Sequence, residues 1–466
     1  SSGLSVRNLA QFAVTFGNKG VCLNNHAFDR HFSYRKLLRF TLPTVAMMVF
    51  LSCYTIVDGF FIASFVGKEA FAAVNLVFPV LMAAGTPGFL LGTGGSAFVG
   101  AALGRKEPET ANRIFSLLAA IAVGVGLLIS VILWLLMPEI SRALGADATL
   151  LPDCISYGRI IAAALPCFMI QSFFQSFYIT AGKPNLGFAS TIAAGVTNIG
   201  LDALFIIVFG WGVTGAAAAT AISELLCGLF PLLYFSRPNT SLLRFIRPVW
   251  MPRVVLDTVI NGSSELMSSI AMSVVGICYN LQLLRYAGND GVAAYGAVIY
   301  TAFVFVSAMI GFSEGVAPAI SFHFGAKNYR EVKSLFKKSV VILALTGILM
   351  TILSAVFADF VARLFDAGDA GLHGLIVNAM TIYGLSYLLC WITIFGSAFF
   401  TALGNGPVSA AISFTHTLVL ETGCVFLIPF LIGINGIWFS ISVAELLSAF
   451  VTGFFLLRGR KIFLSN

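Results

Sequence analysis

Apolar positions in this chain neither alternate nor keep to one helical stripe; they run on. Predominantly apolar stretches fall at about 38–62, 71–101, 112–137, 153–180, 186–209 and 213–235. After a more polar segment, SRPNTSLLRFIRPVWMPR (236–253), six more follow at about 255–285, 292–324, 334–358, 372–400, 408–431 and 434–457. A run of 18 or more apolar residues can cross a hydrocarbon layer of about 30 Å as a helix. In lipid, runs of this length must satisfy their peptide groups internally, which a helix does. The pattern predicts an all-α polytopic membrane protein with twelve spans.

The two halves repeat. At an offset of 221 residues, FVGKEAFAAVN (65–75) lies over YAGNDGVAAYG (286–296). Gly94, Gly104, Lys106 and Phe115 then meet Gly315, Gly325, Lys327 and Phe336. GVTG (212–215) meets GING (433–436), and Glu224-Leu-Leu meets Glu445-Leu-Leu. One ungapped offset at four distant places indicates a tandem repeat. Six spans per copy is an even number, so both copies enter the membrane the same way, related by an axis along its normal with a cleft between them. The expected organisation is an N-terminal extension (1–32), an N-lobe (33–235), a linker (236–254), a C-lobe (255–458) and a short tail (459–466). Residues 1–32 contain no long apolar run and do not read as a signal peptide.

Composition agrees: 58% of the 466 residues are hydrophobic, 10% are charged, and the mean hydropathy is +0.95. That is too little charge for a soluble domain. The net charge of +7 suggests a nucleic-acid surface until it is mapped. With both termini inside, 22 of the 27 Lys and Arg fall on inner segments. The basic bias therefore reads as cytoplasmic loops of a cell-membrane protein, with no nucleic-acid partner. The eight cysteines are scattered and form no CxxC pair, so they read as small core residues.

The chemistry lies in acids placed within the spans: Asp58, Asp202, Glu224, Glu265, Glu314, Glu421 and Glu445. A charge at the bilayer centre costs at least about 2.5 kcal/mol and usually faces a cavity. Counting from the outer span ends, Asp58 is roughly 15 Å deep, Asp202 roughly 12 Å and Thr220 roughly 10 Å. Tyr54 and Asn198 sit one turn below Asp58 and Asp202, and Tyr157 is near the outer start of span 4. These six residues form an expected cation-coupling site. The two nearby carboxylates would share a proton, or coordinate Na⁺ together with Asn198 and Thr220. No other cofactor is implied.

Gln171 and Gln175, one turn apart on span 4, can face the lobe interior; with Asp58, Asp202 and Glu265 they are candidate substrate contacts. Pro43 interrupts span 1 and is a candidate bending point. Glu224 and Glu445 hold equivalent repeat positions, which suits a structural role shared by both lobes. Glu421 has no evident partner, because His416, five residues earlier, falls off its face at α-helical spacing.

Taken in order, several pieces resemble the multidrug and toxic compound extrusion (MATE) transporters over residues 33–458. They are Leu42-Pro43 and Val57-Asp58-Gly59, FAAVN, the Asn198-to-Asp202 spacing, GVTGAAAAT (212–220), and GAKN (325–328). Pro43, Tyr54, Asp58, Tyr157, Asn198, Asp202 and Thr220 match the family branch that has an acidic N-lobe site. The resemblance implies a monomeric antiporter that exports amphipathic, often cationic, compounds in exchange for H⁺ or Na⁺. Glu314 stands where many relatives carry Gln, and span 10 lacks the carboxylate that some relatives use. Glu265 matches the family's span-7 acid. A related lipid-linked oligosaccharide flippase is the alternative, although twelve spans and few buried cations fit it less well. The 2–3 loop, GRKEPETANR, lacks the major-facilitator motif, and no catalytic motif points to an enzyme.

Overall fold

The computed structural model describes residues 31–365 and 369–464; nearly all of the expected N-terminal extension lies outside this range. Among the described residues, eleven helices are long and apolar enough to cross a membrane, and a bent pair supplies a twelfth. The N-terminal six are α1 (Tyr34–Phe61), α2 (Lys68–Gly104), α3 (Pro108–Ala143), α4 (Leu151–Thr180), α5 (Pro184–Asp202) and α6 (Gly212–Ser236). The other six begin with α7 (Pro252–Gly288), α8 (Asp290–Gly325) and α9 (Tyr329–Phe365). Next comes α10, whose parts Ala370–Leu388 and Cys390–Ala402 meet at 41°. The last two are α11 (Gly406–Ile432) and α12 (Ile434–Leu464). All twelve expected spans are present, and no strand occurs among the described residues.

Local sequence sets the helix ends. Pro108, Pro184, Pro252 and Pro407 stand in the first turns of α3, α5, α7 and α11, where a missing N–H leaves no bond unmade. Asp369 caps α10 by accepting from the N–H groups of Gly371 and Leu372. Gly288 (φ 62°, ψ −147°) separates α7 from α8. The linker is not a slack strap. Arg244 N–H donates to Asn112 and Ile246 N–H to Ser116, and the Phe245 ring stacks on Phe115 at 4.9 Å.

The most apolar helices, α3 and α9, turn rows of Leu, Ile and Val outward, as a lipid-facing wall must. By contrast, α4 is the buried centre of the N-lobe: its most apolar stretch is 78% buried.

The lobes meet along a seam in the half of the molecule that carries the termini. Gly104 of α2 and Gly325 of α8 are repeat equivalents, and each rests on the other helix. A Cβ on Gly104 would lie 1.9 Å from the Phe322 carbonyl oxygen, and one on Gly325 2.1 Å from that of Ala101. No side chain fits there. Gly94 of α2 seats against Thr258 of α7, while its equivalent Gly315 of α8 seats against Thr41 of α1. Asn261 donates to the carbonyls of Gly94 and Thr401, tying α7 to α2 and α10. Phe32 N–H donates to Glu331, which pins the start of α1 to α9.

The repeat also shows in the backbone. Lys106 (φ 63°) and Lys327 (φ 57°), again 221 apart, are the described non-glycine residues at positive φ. A left-handed lysine costs about 1 kcal/mol that glycine avoids. Lys106→Gly or Lys327→Gly should therefore gain about 0.5 kcal/mol after glycine's unfolded-state entropy is subtracted. The expected reading is a higher thermal unfolding midpoint in detergent. A lower midpoint would show that lysine contacts outweigh the strain.

Candidate cation and substrate site

Three helices of the N-lobe each carry a polar pair at i, i+4, and so on one face. On α1 it is Tyr54 and Asp58; on α5, Asn198 and Asp202; on α6, Thr220 and Glu224. Tyr157 of α4 makes the fourth side. Asn198, Asp202, Tyr157 and Glu224 are all buried. The Asn198 amide N–H donates to the Thr220 hydroxyl at 3.3 Å and so ties α5 to α6. A π-helical turn, Ala203–Val208, begins directly after Asp202. Such turns re-aim the residues beside them and recur at functional sites.

The structure brings the two aspartates together across α1 and α5, close enough for one hydrogen to bridge their carboxyls. When both are ionised, neither can donate. Asp58 Oδ1 and both Asp202 oxygens accept no hydrogen bond, and Asn198 Oδ1 and Glu224 Oε2 are equally without a donor. Five orphaned acceptor oxygens in one buried cluster need positive charge or protons among them. Protons on the carboxyls, a small cation or a cationic organic group would each meet that need. The donor set fits Na⁺ as well as H⁺, since a hard cation takes carboxylate, amide and hydroxyl oxygens.

Glu224 extends the expected site. It lies within electrostatic reach of Asp58, Tyr54 and Tyr157, making a third carboxyl in the cluster. Its place one turn from Thr220 on the same face is the sequence signal for this role, whereas repeat equivalence to Glu445 suggests a structural one.

The other expected contacts lie elsewhere. Gln171 and Gln175 are buried in α4, roughly 21 and 27 Å of helix beyond Tyr157, toward the termini side. Gln175 Oε1 lacks a donor. Glu265 of α7 faces Glu314 of α8 in the termini-side half, separate from the N-lobe cluster. Pro43 stands inside α1 beside Thr44 and Val45, which pack on Gly311 of α8 at the seam.

The depth of the cluster follows from the fold. Asp58 lies roughly 20 Å along α1 from the seam contact at Val45. The cluster thus occupies the half of the N-lobe away from the closed seam.

The MatE family model matches residues 43–204 and again residues 266–427. The chain is similar to the multidrug export protein MepA of Staphylococcus haemolyticus, with 26% identity over 429 residues, covering 92% of this chain and 94% of that protein. MepA of Staphylococcus aureus strain NCTC 8325 is 25% identical over 426 residues, covering 91% and 93%. Among solved structures, a MATE protein in complex with MaL6 superposes with a TM-score of 0.88 at 21% identity, covering 95% of this chain and 99% of that one. The outward-facing conformation of a multidrug resistance MATE family transporter gives 0.85 at 22%, covering 93% and 96%. At these identities the structural matches speak for the fold.

Proposed function

The chain belongs to the multidrug and toxic compound extrusion family, and from that premise we propose that it exports amphipathic, often cationic, compounds in exchange for H⁺ or Na⁺. The observation that carries this reading is the set of orphaned carboxyl and amide oxygens in the N-lobe, remote from the closed seam. The excess of Lys and Arg on the termini-side segments supports a cytoplasmic side for the termini, and hence for the seam. The described state is then closed inward, and the cluster is served from outside.

In that state a proton or Na⁺ reaches Asp58, Asp202 and Glu224 from the outer solution. Neutralising them removes the anchor of a cationic drug, which leaves outward. A neutral cluster can be carried through a closed state far more cheaply than a bare one. The seam then opens, and the cation leaves toward a low inner activity. A new drug takes the vacated carboxylates. Direct competition of drug and cation for one set of oxygens is sufficient for exchange, because each shifts the population of states it binds. Export of multiple drugs is also what the MepA relatives are named for.

The test is reconstitution into liposomes with pH and Na⁺ gradients imposed separately. Movement of an ethidium-like dye should require one of the gradients and stop when it is collapsed. Equal flux without any gradient would indicate a channel. Flux of a lipid-linked glycan, but of no dye under either gradient, would favour the flippase alternative.

A further inference from the structure

The C-lobe holds a second buried polar cluster, at the position that the repeat relates to the first. Glu445 of α12 is the equivalent of Glu224. Its Oε1 lies 3.1 Å from His416 Nε2 on α11, and its Oε2 accepts from the Thr393 hydroxyl of α10 at 3.0 Å. Ser448, one turn further along α12, has its hydroxyl 3.0 Å from the same Thr393 oxygen, which can accept from it while donating to Glu445. Glu421 of α11 completes the group, within electrostatic reach of both His416 and Glu445.

The sequence expectation that His416 falls off the Glu421 face is overturned here. Residues Thr415–Glu421 form a π-helix, with about five residues between hydrogen-bonded partners. The wider turn brings residues five apart toward one face, which leaves His416 against Glu445 of α12 and Glu421 within electrostatic reach of both.

The three residues do not have equal hydrogen bonding. Glu445 accepts the Thr393 hydroxyl on Oε2, and its Oε1 lies at ion-pair distance from His416 Nε2, which makes no directed hydrogen bond. Glu421, only 7% exposed, accepts no hydrogen bond from any described residue. Counting charges, two carboxylates beside one imidazolium leave a net −1 inside the membrane; one more proton makes the group neutral. A metal cation would meet the imidazolium's repulsion, whereas a proton would not. Around Glu421 the facing titratable groups are Tyr279 of α7, Tyr295 of α8, Tyr383 of α10 and Cys424 of α11. Cys390 of α10 faces Glu445. None of these brings a second positive charge.

We propose that the C-lobe carries a proton-exchange site of its own, in which the Glu421 carboxylate takes up one proton from water while His416 and Glu445 stay paired. The site lies on α10, α11 and α12, across the molecule from the N-lobe acids. It stands whether or not the N-lobe cluster exchanges cations for drugs.

The experiment is pH-difference infrared spectroscopy on the purified full chain, following the C=O stretch of protonated carboxyls. One such band should be lost in Glu421→Gln and kept in the Asp58→Asn/Asp202→Asn double variant. Glu421→Asp, which keeps an acid at that point, should retain a band at a shifted frequency. His416→Gln should move the pH midpoint of the band. Identical difference spectra for the unmutated chain and Glu421→Gln would overturn the proposal. So would a midpoint that ignores His416→Gln, or a band that disappears with the N-lobe aspartates instead. Dye transport plays no part in the readout, so its failure and the failure of this site are told apart.

Discussion

Replacing Asp202 with Asn should make drug binding independent of pH and Na⁺. In the unmutated protein, a cationic fluorescent drug competes with the coupling cation for the carboxyls of Asp58, Asp202 and Glu224. Where one proton displaces the drug, affinity should fall about tenfold for each pH unit of acidification, equivalent to about 1.4 kcal/mol. If Na⁺ is the competitor, the same slope should appear against its concentration. Asp202→Asn leaves an amide that binds no proton in this range, so the profile should flatten and gradient-driven export should cease. Asp58→Asn should do the same, and the double variant should be no worse than either single one. The two carboxyls share one hydrogen or one cation, and groups acting as a unit are not additive. Glu224→Gln should also weaken binding, which its sequence position alone did not demand. The measurement is equilibrium binding to purified protein across pH and Na⁺ concentration. Independent, additive partial losses would sink the idea of a single unit.

The second large effect is expected far from the buried acids. Gly104→Leu or Gly325→Leu should prevent the termini-side seam from closing. A leucine at either place drives Cβ into a backbone carbonyl, at 1.9 Å or 2.1 Å. Backbone cannot swing aside as a flexible side chain can, so α2 and α8 must separate. Overpacking of this kind costs about 1–3 kcal/mol. Charged to the closed state alone, that shifts the balance of seam-closed and seam-open forms by about 5- to 150-fold. Spin labels on the exposed residues Arg105 and Arg330 should report a longer distance, and transport should fall by a similar factor. A folded leucine variant with an unchanged distance distribution would show that the seam does not gate access.

The sites differ in how far they could be read from sequence. Asp58, Asn198, Asp202 and Thr220 were legible as a group because helices of fixed rise, anchored at loops, convert sequence position into depth. Depth does not give azimuth. It therefore could not tell whether the Glu224 face meets Asp58, nor separate Glu265, which turns toward Glu314, from the N-lobe acids. The C-lobe trio was hidden for another reason. Its assembly depends on a π-helix at Thr415–Glu421, and ordinary helical spacing places His416 and Glu421 apart.

The sequence by itself determined the twelve spans, the twofold repeat and the level of the buried acids. The first follows because lipid leaves peptide groups no partner but their own helix, the second because a duplicated pattern persists at one offset, and the third because helical rise is constant. Tertiary structure alone decided which faces meet. It put Gly104 against Phe322 and Gly325 against Ala101, closed the seam on one side, and drew His416, Glu421 and Glu445 into one cluster. Those outcomes depend on helix rotation, on close packing of small residues and on local departures from α-helical geometry. Each is set by contacts between distant segments, which no stretch of sequence read alone contains.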